Sequence, residues 1–333
     1  MTTMTLHAKD DGRVPMRLFR DKNNVLSPIQ RDSFKLELDI HGLVESNLEI
    51  LFQLEYVTSE FTVGEFRLDT LAFDNETNSF VIVEYKKGHS YSVVDQGYSY
   101  LSVMVNNKAD FILEYNEKTG KQLKRDDVDW SSSRVIFVAP SFNSYQKNSV
   151  NFRDVPFELW EIRKFEDGLV AIEQCQPTSV ESIEKISKAG SSSVIKAVSA
   201  EVKVTTEQDH VNSLDAPLKA VWSALKERIL ETADSSLFVS KGYISWRRES
   251  TAVCFIHFRK QEFRIEILRG NKKPSGELSR GFFNIDDPKQ MTKERSWTWK
   301  NGHTGHVYLI NLSKQDDLDY VMFLLDQKYR SLE

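Results

Sequence analysis

Apolar and polar positions recur along this chain with two different periods, and each change of period marks a change of element. In "DSFKLELDIHGLVESNLEILF", Ile40, Val44, Leu48 and Leu51 recur at helical spacing with Leu43 beside them, which predicts one amphipathic helix. Asp32 or Ser33 would cap it. Two strand-like runs follow, "VGEFRLDTLAFD" and "SFVIVEYK", on either side of the turn-rich "NETN". The period returns to 3.6 in "YSVVDQGYSYLSVMV", where Val94, Tyr98, Leu101 and Val105 are in register. "RVIFVAP" is a short apolar run closed by Pro140, the pattern of a buried strand, and "FELWEIRKF" and "GLVAIEQ" read as two more strands joined near Asp167 and Gly168. A helix between two buried strands implies a right-handed crossover and a parallel pair. Residues 33–174 are therefore expected to form an α/β domain with a mixed central sheet flanked by helices.

The pattern divides the rest of the chain. Residues 1–32 form an N-terminal extension. From 175 to 208 the chain is rich in small and polar residues, and the part "PTSVESIEKISKAGSSSVIKAVSAEVKVTTEQ" has no aromatic, so this segment is expected to be a linker with room for a short helix. Residues 209–333 are expected to form a smaller α+β domain. It opens with an amphipathic helix carrying Leu218, Val221, Trp222, Leu225 and Ile229, continues as antiparallel strands through "YISWRRESTAVCFIHFRKQEFRIEILRG", and ends on a strand and a helix. Asp317 and Asp319 lie near the start of that last helix, where the dipole favours acidic residues.

Composition narrows the classes of function. At 333 residues and 40% hydrophobic content, the chain can fill two ordinary cores. A net charge of −5 excludes a general polycation but leaves local basic surfaces open. Two cysteines far apart, Cys175 and Cys254, cannot build a disulfide framework, which fits a reducing compartment. No signal-peptide core and no apolar run of about 18 residues is present, so a cytoplasmic protein with no membrane partner is expected. The lack of a glycine-rich phosphate loop argues against a nucleotide-driven motor.

Candidate chemistry concentrates in "FRLDTLAFDNETNSFVIVEYKKG". Strand side chains alternate faces, so Glu84 and Lys86 project with Phe80 and Ile82, while Val81, Val83 and Tyr85 face the other way. Both faces are apolar, so the strand is interior, and unpaired charge there is costly. Asp69 is in phase with Leu71 and Phe73 on the preceding arm, and pairing around "NETN" brings it beside Glu84. Two adjacent carboxylates repel, and a divalent cation with hard oxygen ligands, Mg²⁺ or Mn²⁺, would offset that. Asp69 and Glu84 would hold it with the backbone carbonyl of Tyr85. On the first helix Glu37 falls within about 30° of the centre of the buried stripe, by the 3.6-residue period. It is preferred over the flanking Glu45 as a further ligand. Lys86 would orient or deprotonate a water, or stabilise the phosphorane.

Asp69 followed, after fourteen intervening residues, by Glu84-Tyr85-Lys86 resembles the D…(D/E)-x-K signature of the PD-(D/E)XK nuclease superfamily. Glu37 upstream, and Gln96 and Tyr100 downstream as a Q-x-x-x-Y pair, resemble its branch of Mrr-like and NucS-like DNA endonucleases. The resemblance spans about 33–174. It implies a restriction-endonuclease-like sheet, catalytic roles for Asp69, Glu84, Lys86, Glu37 and Gln96, DNA as partner, and the pairing of two copies that many such nucleases use to cut both strands. The superfamily's proline is absent, since Arg67-Leu68 precedes Asp69. The C-terminal domain resembles the uncharacterised DUF5655 type. A rival reading keeps this fold for gripping nucleic acid or protein without cleavage. RNA is a further possible substrate, although nothing in the sequence reads a 2′-hydroxyl.

Weaker signals lie in the C-terminal half. Arg247, Arg248, Arg259, Lys260, Arg264, Arg269, Lys272, Lys273 and Arg280 interleave with Trp246, Phe255, Phe258 and Phe263. With Lys87 and Tyr100 from the first domain, Arg247, Arg248, Lys272 and Lys273 are the candidate nucleic-acid contacts. Glu249, Glu262, Glu266 and Glu277 dilute this charge, as expected if the stretch is only the solvated face of a sheet. Cys254, His257, His303 and His306 mimic a zinc tetrad, but Cys254 and His257 are three apart on a strand and point to opposite faces. Trp297 and Trp299 are expected in the core.

Overall fold

The computed structural model describes residues 16–87, 92–152, 155–176, 193–249, 251–279, 281–298 and 302–332. Arg280, Trp299 and residues 177–192 of the expected linker lie outside them. The chain separates into two units, Met1–Val204 and Thr205–Glu333.

The first unit is built on β1 (Leu18–Lys22), β2 (Val25–Ile29), β3 (Arg31–Asp32), α1 (Glu37–Glu45), α2 (Leu48–Phe52), β4 (Glu55–Val63), β5 (Phe66–Asp74), β6 (Ser79–Tyr85), α3 (Val93–Asn106), α4 (Lys108–Thr119), β7 (Arg134–Ala139), α5 (Ser144–Ser149), β8 (Phe157–Phe165), β9 (Val170–Gln174) and α6 (Ser193–Glu201). Among the described residues, seven strands form one mixed sheet in the order β3-β8-β7-β6-β5-β4, with β9 on β8. β5 and β6 are antiparallel, while β6, β7 and β8 are parallel. This is the mixed α/β architecture that the periodicity implies. All seven residues of β6 are buried. Ile40, Val44 and Leu48 cover one face of the sheet against Val81, Val83, Ile136 and Val138. Leu101, Met104 and Phe111 cover the other against Leu71, Phe73, Phe80, Ile82 and Phe137.

Several boundaries differ from the sequence reading, each for a local reason. The first helix is two, because the Ser46 hydroxyl and Asn47 amide turn back to the carbonyls of Gly42 (2.8 Å) and Leu43 (2.7 Å) and end α1. Its start is served by neither Asp32 nor Ser33: Asp39 accepts from the Leu36 N–H at 2.8 Å. "VGEF" is a hairpin turn with Gly64 at φ +58°, so β4 precedes it as a separate strand. The 1–32 extension holds the β1–β2 hairpin and a short strand, β3, that joins the sheet beside β8. Within the expected linker, Val198 and Val202 are buried in the first unit's core, and Glu207 is already tied to the second unit through Trp222 at 2.8 Å.

A partly buried ion network spans the sheet. Arg134 of β7 donates to Asp74 of β5 at 2.9 Å and to Glu158 of β8 at 2.7 Å. Asp74 also accepts from the Glu76 and Thr77 N–H groups at 2.9 and 3.1 Å, which fixes the β5–β6 turn. Burial alone would raise the Asp74 pKa, but the Arg134 charge and these hydrogen bonds outweigh it and hold the carboxyl below its usual range.

The second unit contains α7 (Glu207–Asn212), α8 (Ala216–Glu231), β10 (Ser235–Val239), β11 (Ile244–Arg248), β12 (Thr251–Phe258), β13 (Phe263–Lys272), β14 (Lys293–Thr298), β15 (Thr304–Leu312) and α9 (Leu318–Arg330). Its antiparallel sheet runs β10-β11-β12-β13-β15-β14. Leu218, Val221, Trp222, Leu225 and Ile229 of α8, with Leu318, Val321, Leu324 and Leu325 of α9, pack on one sheet face against Trp246, Ile256, Phe263, Ile265 and Ile310. Trp297 is not core: it lies on edge strand β14 and is 37% exposed. Among the described residues, no helix is long and apolar enough to cross a membrane.

Removing Asp74 should leave Arg134 short of a buried partner, so Asp74→Ala should cost about 3–5 kcal/mol. Urea denaturation of the full chain measures it. Because the folded pKa is lowered, this contribution is present above the ordinary Asp pKa and is lost as pH falls through the folded value. The wild-type advantage over the variant should therefore shrink in acid and not at neutral pH.

Candidate functional site

The site forms where β6 ends. The pairing of β5 on β6 ends at Thr70 opposite Val83, which leaves Asp69 and Glu84 as the next residues on the two strands. Asp69 accepts the Tyr85 N–H at 3.0 Å through Oδ2, so a side chain replaces a backbone partner at this point of the ladder. Glu84 is 3% exposed. Its Oε1 accepts from Lys86 Nζ at 2.6 Å and from Gln96 Nε2 at 2.7 Å. Lys86 is itself buried, and its N–H donates to the Val138 carbonyl at 2.9 Å, which fixes the strand end on β7.

α3 supplies the upper wall. Ser92 caps it by accepting from the Asp95 N–H at 3.3 Å. Gln96 donates to both Glu84 and the Tyr100 hydroxyl, the latter at 2.8 Å. This reach depends on Gly97, where a Cβ would meet the Phe157 ring of β8 at 2.5 Å. Glycine lets the helix axis approach the sheet closely and brings Gln96 down to the carboxylate.

The electrostatics are unlike those of the structural network. Burial raises the Glu84 pKa first, and the charge of Asp69 raises it further, against the hydrogen bond and charge of Lys86. Glu84 Oε2 and Gln96 Oε1 are buried without a hydrogen-bond partner. The Tyr100 hydroxyl is pushed up by burial and next by the Glu84 charge, so it stays protonated. Strongly desolvated carboxylates beside a like charge are a recognised mark of functional sites.

Glu37 sits at the first position of α1, is exposed, and accepts the Lys87 N–H at 2.7 Å, just past the end of β6. It was expected on the buried stripe. The helix starts there, so the side chain hangs over the strand end instead of the core. Glu45, the alternative, is half-buried on the opposite sheet face, where it accepts from Thr70 at 2.7 Å and pairs with His41 at 2.8 Å. His41 in turn stacks on the Tyr85 ring at 4.6 Å, and the Tyr85 hydroxyl meets Thr70 at 3.0 Å. This polar cluster went unread in the sequence, where only the i, i+4 spacing of His41 and Glu45 hints at it.

A metal expectation meets a mixed test. Among the described residues, no three His, Cys, Asp or Glu side chains gather as a cation-holding cluster. The expected donors are nevertheless all hard oxygens, and the partnerless Oε2 of Glu84 is an acceptor that a cation would satisfy. The donor set therefore fits Mg²⁺ or Mn²⁺ better than a softer metal. Glu37 would have to leave the Lys87 N–H to join it.

Several of the candidate nucleic-acid residues are engaged within their own unit. Tyr100 is 7% exposed and faces Gln96, not solvent. The Lys87 amine folds back onto the Lys35 carbonyl. Arg248 lies over the Tyr329 ring at 4.7 Å on the helix side of the second sheet, whereas Arg247 lies over Phe238 at 4.0 Å. Lys273 pairs with Glu277 at 2.9 Å, and Lys272 is exposed. Arg269 is buried against Glu294 and Asn284, while Trp246 and Phe263 are core. Cys254 is buried and its thiol is pushed up to about 12 by desolvation. His257 instead lies near Glu266 at 3.7 Å, on the other face.

No family model matches the chain. It is 39% identical over 325 residues to an uncharacterized protein of Haemophilus influenzae, a match that covers 94% of this chain and 99% of that one. Among solved structures, the EndoMS–dsDNA2 complex is 22% identical, across 36% of this chain and 43% of that chain, with a TM-score of 0.24. A repair endonuclease from Pyrococcus abyssi is 18% identical across 36% and 44%, with a TM-score of 0.21. The chain thus spans less than half the length of either, and at these scores neither likeness carries an argument about fold or activity.

Two substitutions probe this geometry. Asp69→Asn keeps an acceptor for the Tyr85 N–H and removes a negative charge beside Glu84. Glu84 should then titrate at lower pH by carboxyl NMR, with stability unchanged or raised. A loss above about 2 kcal/mol would make Asp69 a structural charge. Gly97→Val should overpack the α3–β8 contact and cost about 1–3 kcal/mol in urea denaturation, despite valine's better intrinsic fit to a helix.

Proposed function

The chain belongs to the same family as the uncharacterized Haemophilus influenzae protein, and for it we propose metal-dependent hydrolysis of phosphodiester bonds, as a DNA endonuclease of the PD-(D/E)XK type. The observation that carries this reading is Glu84: a buried carboxylate with a raised pKa, a like charge beside it and one oxygen without a partner. A purely structural carboxylate would not be left in that state at the end of an interior strand.

In this reading Asp69, Glu84 and the Tyr85 carbonyl hold Mg²⁺ or Mn²⁺, with Glu37 as a further candidate at the strand end. Such a cation supplies Lewis acidity to the phosphate and lowers the pKa of a water. The chain's own groups do the positioning. Asp69 fixes the strand end by holding the Tyr85 N–H. Gln96 locks the Glu84 rotamer and orients the protonated Tyr100 hydroxyl beside it. Lys86 brings a positive charge next to the carboxylate pair, where it stabilises negative charge that builds on the phosphoryl oxygens and orients the attacking water. Burial of Glu84 and Lys86 keeps the local dielectric low and strengthens each of these interactions. A cytoplasmic setting belongs to the same proposal and suits two free cysteines.

Wild type and Lys86→Ala should be incubated with supercoiled, linear and single-stranded DNA in Mg²⁺, in Mn²⁺ and in EDTA. The expected outcome is metal-dependent cleavage by wild type and a loss of about 10²–10⁴-fold in the variant. Equal products from both proteins would remove Lys86 from the chemistry. No products from either, with DNA retained in a binding assay, would favour the non-catalytic gripping role.

A further inference from the structure

Among the described residues, α8 and α9 cover one face of the second unit's sheet. Side chains that alternate with the core residues point away from α8 and α9 and make the other face: Arg247 on β11, Phe255 and His257 on β12, Arg264 and Glu266 on β13, and Lys293, Arg295 and Trp297 on β14. A cleft of about 310 Å³ opens at the end where β12 turns into β13 and β14 begins, lined by Arg259, Arg264, Lys293, Glu262 and Asn311 among others. Three cations and one carboxylate give it a positive balance.

The charges on this face are arranged, not scattered. Glu266 is a hub approached by Arg264 at 3.4 Å, His257 at 3.7 Å and Arg295 at 3.9 Å. It holds those cations across the middle strands while Arg259 and Lys293 reach into the cleft. Aromatic rings lie between them. Tyr243 meets Phe255 edge to face at 5.0 Å and His257 at 5.6 Å, and Trp297 on edge strand β14 is 37% exposed.

We propose that this open face binds single-stranded DNA, with a backbone phosphate in the Arg259–Arg264–Lys293 cleft and unpaired bases over Phe255 and Trp297. The charge balance selects a polyanion. Stacking rings set into a sheet face suit bases that are not already stacked in a duplex. The choice of DNA over RNA rests on the activity proposed for the first unit. Only part of the linear basic stretch contributes: Arg259, Arg264 and Phe255 belong to it, Arg248 and Arg269 are committed to the unit's own packing, and Lys293 and Arg295 lie beyond it in sequence.

The test uses the full chain carrying Lys86→Ala, in EDTA, so that binding is read without cleavage. Fluorescence anisotropy follows oligo(dT), a duplex of equal length and oligo(U) across a salt series. Adding Arg259→Ala and Lys293→Ala should weaken oligo(dT) binding roughly tenfold or more. The same pair should lower the salt slope by about 0.7, the value for one phosphate contact on a single strand. Duplex affinity should not change. Trp297→Leu should weaken oligo(dT) binding with the slope unchanged, the opposite signature. Both are surface substitutions, and unchanged thermal unfolding serves as the check on folding. Wild-type affinity and slope in the double variant, an equal loss on the duplex, or tighter binding of oligo(U) would each overturn the proposal. Failure of wild type to cleave DNA would overturn the nuclease reading and leave these binding outcomes standing.

Discussion

Burial of the Glu84 carboxylate at the end of an interior strand is the constraint around which the first unit is arranged. A carboxylate taken out of water costs several kcal/mol unless its surroundings replace the lost hydration. Lys86 and Gln96 replace part of it. Gln96 can do so only because Gly97 lets α3 approach Phe157 closely. Asp69 works the other way, since its charge raises the Glu84 pKa while its oxygen holds the strand end. The parallel placement of β6 against β7 makes the strand interior in the first place.

The same unit shows what a structural carboxylate looks like when buried. Asp74 is tied to Arg134 and two backbone N–H groups, and its pKa is lowered. Glu161 is tied to Lys147 at 2.9 Å, to Arg163 and to the Phe142 N–H at 3.1 Å, and its pKa is lowered too. In both, burial is outweighed by partners. In Glu84 it is not, and one oxygen has no hydrogen-bond partner. Functional sites are where such imbalance is tolerated, because a ligand completes them.

The parts that were legible in the sequence were those set by local periodicity. β6 reads as interior because both of its faces are apolar, and the parity of Glu84 and Lys86 follows from strand geometry alone. α8 and its buried stripe read equally directly. Features that depend on long-range partners did not. The break after α1 comes from Ser46 and Asn47 bonding back to their own helix, a choice that an apolar stripe does not reveal. α6 looked like linker because its residues are small, yet Val198 finds a place on the first unit's core. Trp297 lies on an edge strand and on the same face as Lys293 and Arg295, away from α8 and α9, a placement that two tryptophans of like strand parity do not reveal. Glu37 was placed by helix angle, and the helix start moved it to the strand end, still within reach of Lys87.

The central claim is that the end of β6 is a cation site built from Asp69 and Glu84. The most direct measurement is a Mn²⁺ titration followed by electron paramagnetic resonance, on wild type and on Asp69→Asn. The account predicts saturable Mn²⁺ binding by the wild type, competed by Mg²⁺ and weakened at least tenfold in the variant. Equal binding by both proteins would place the ion elsewhere and contradict the account.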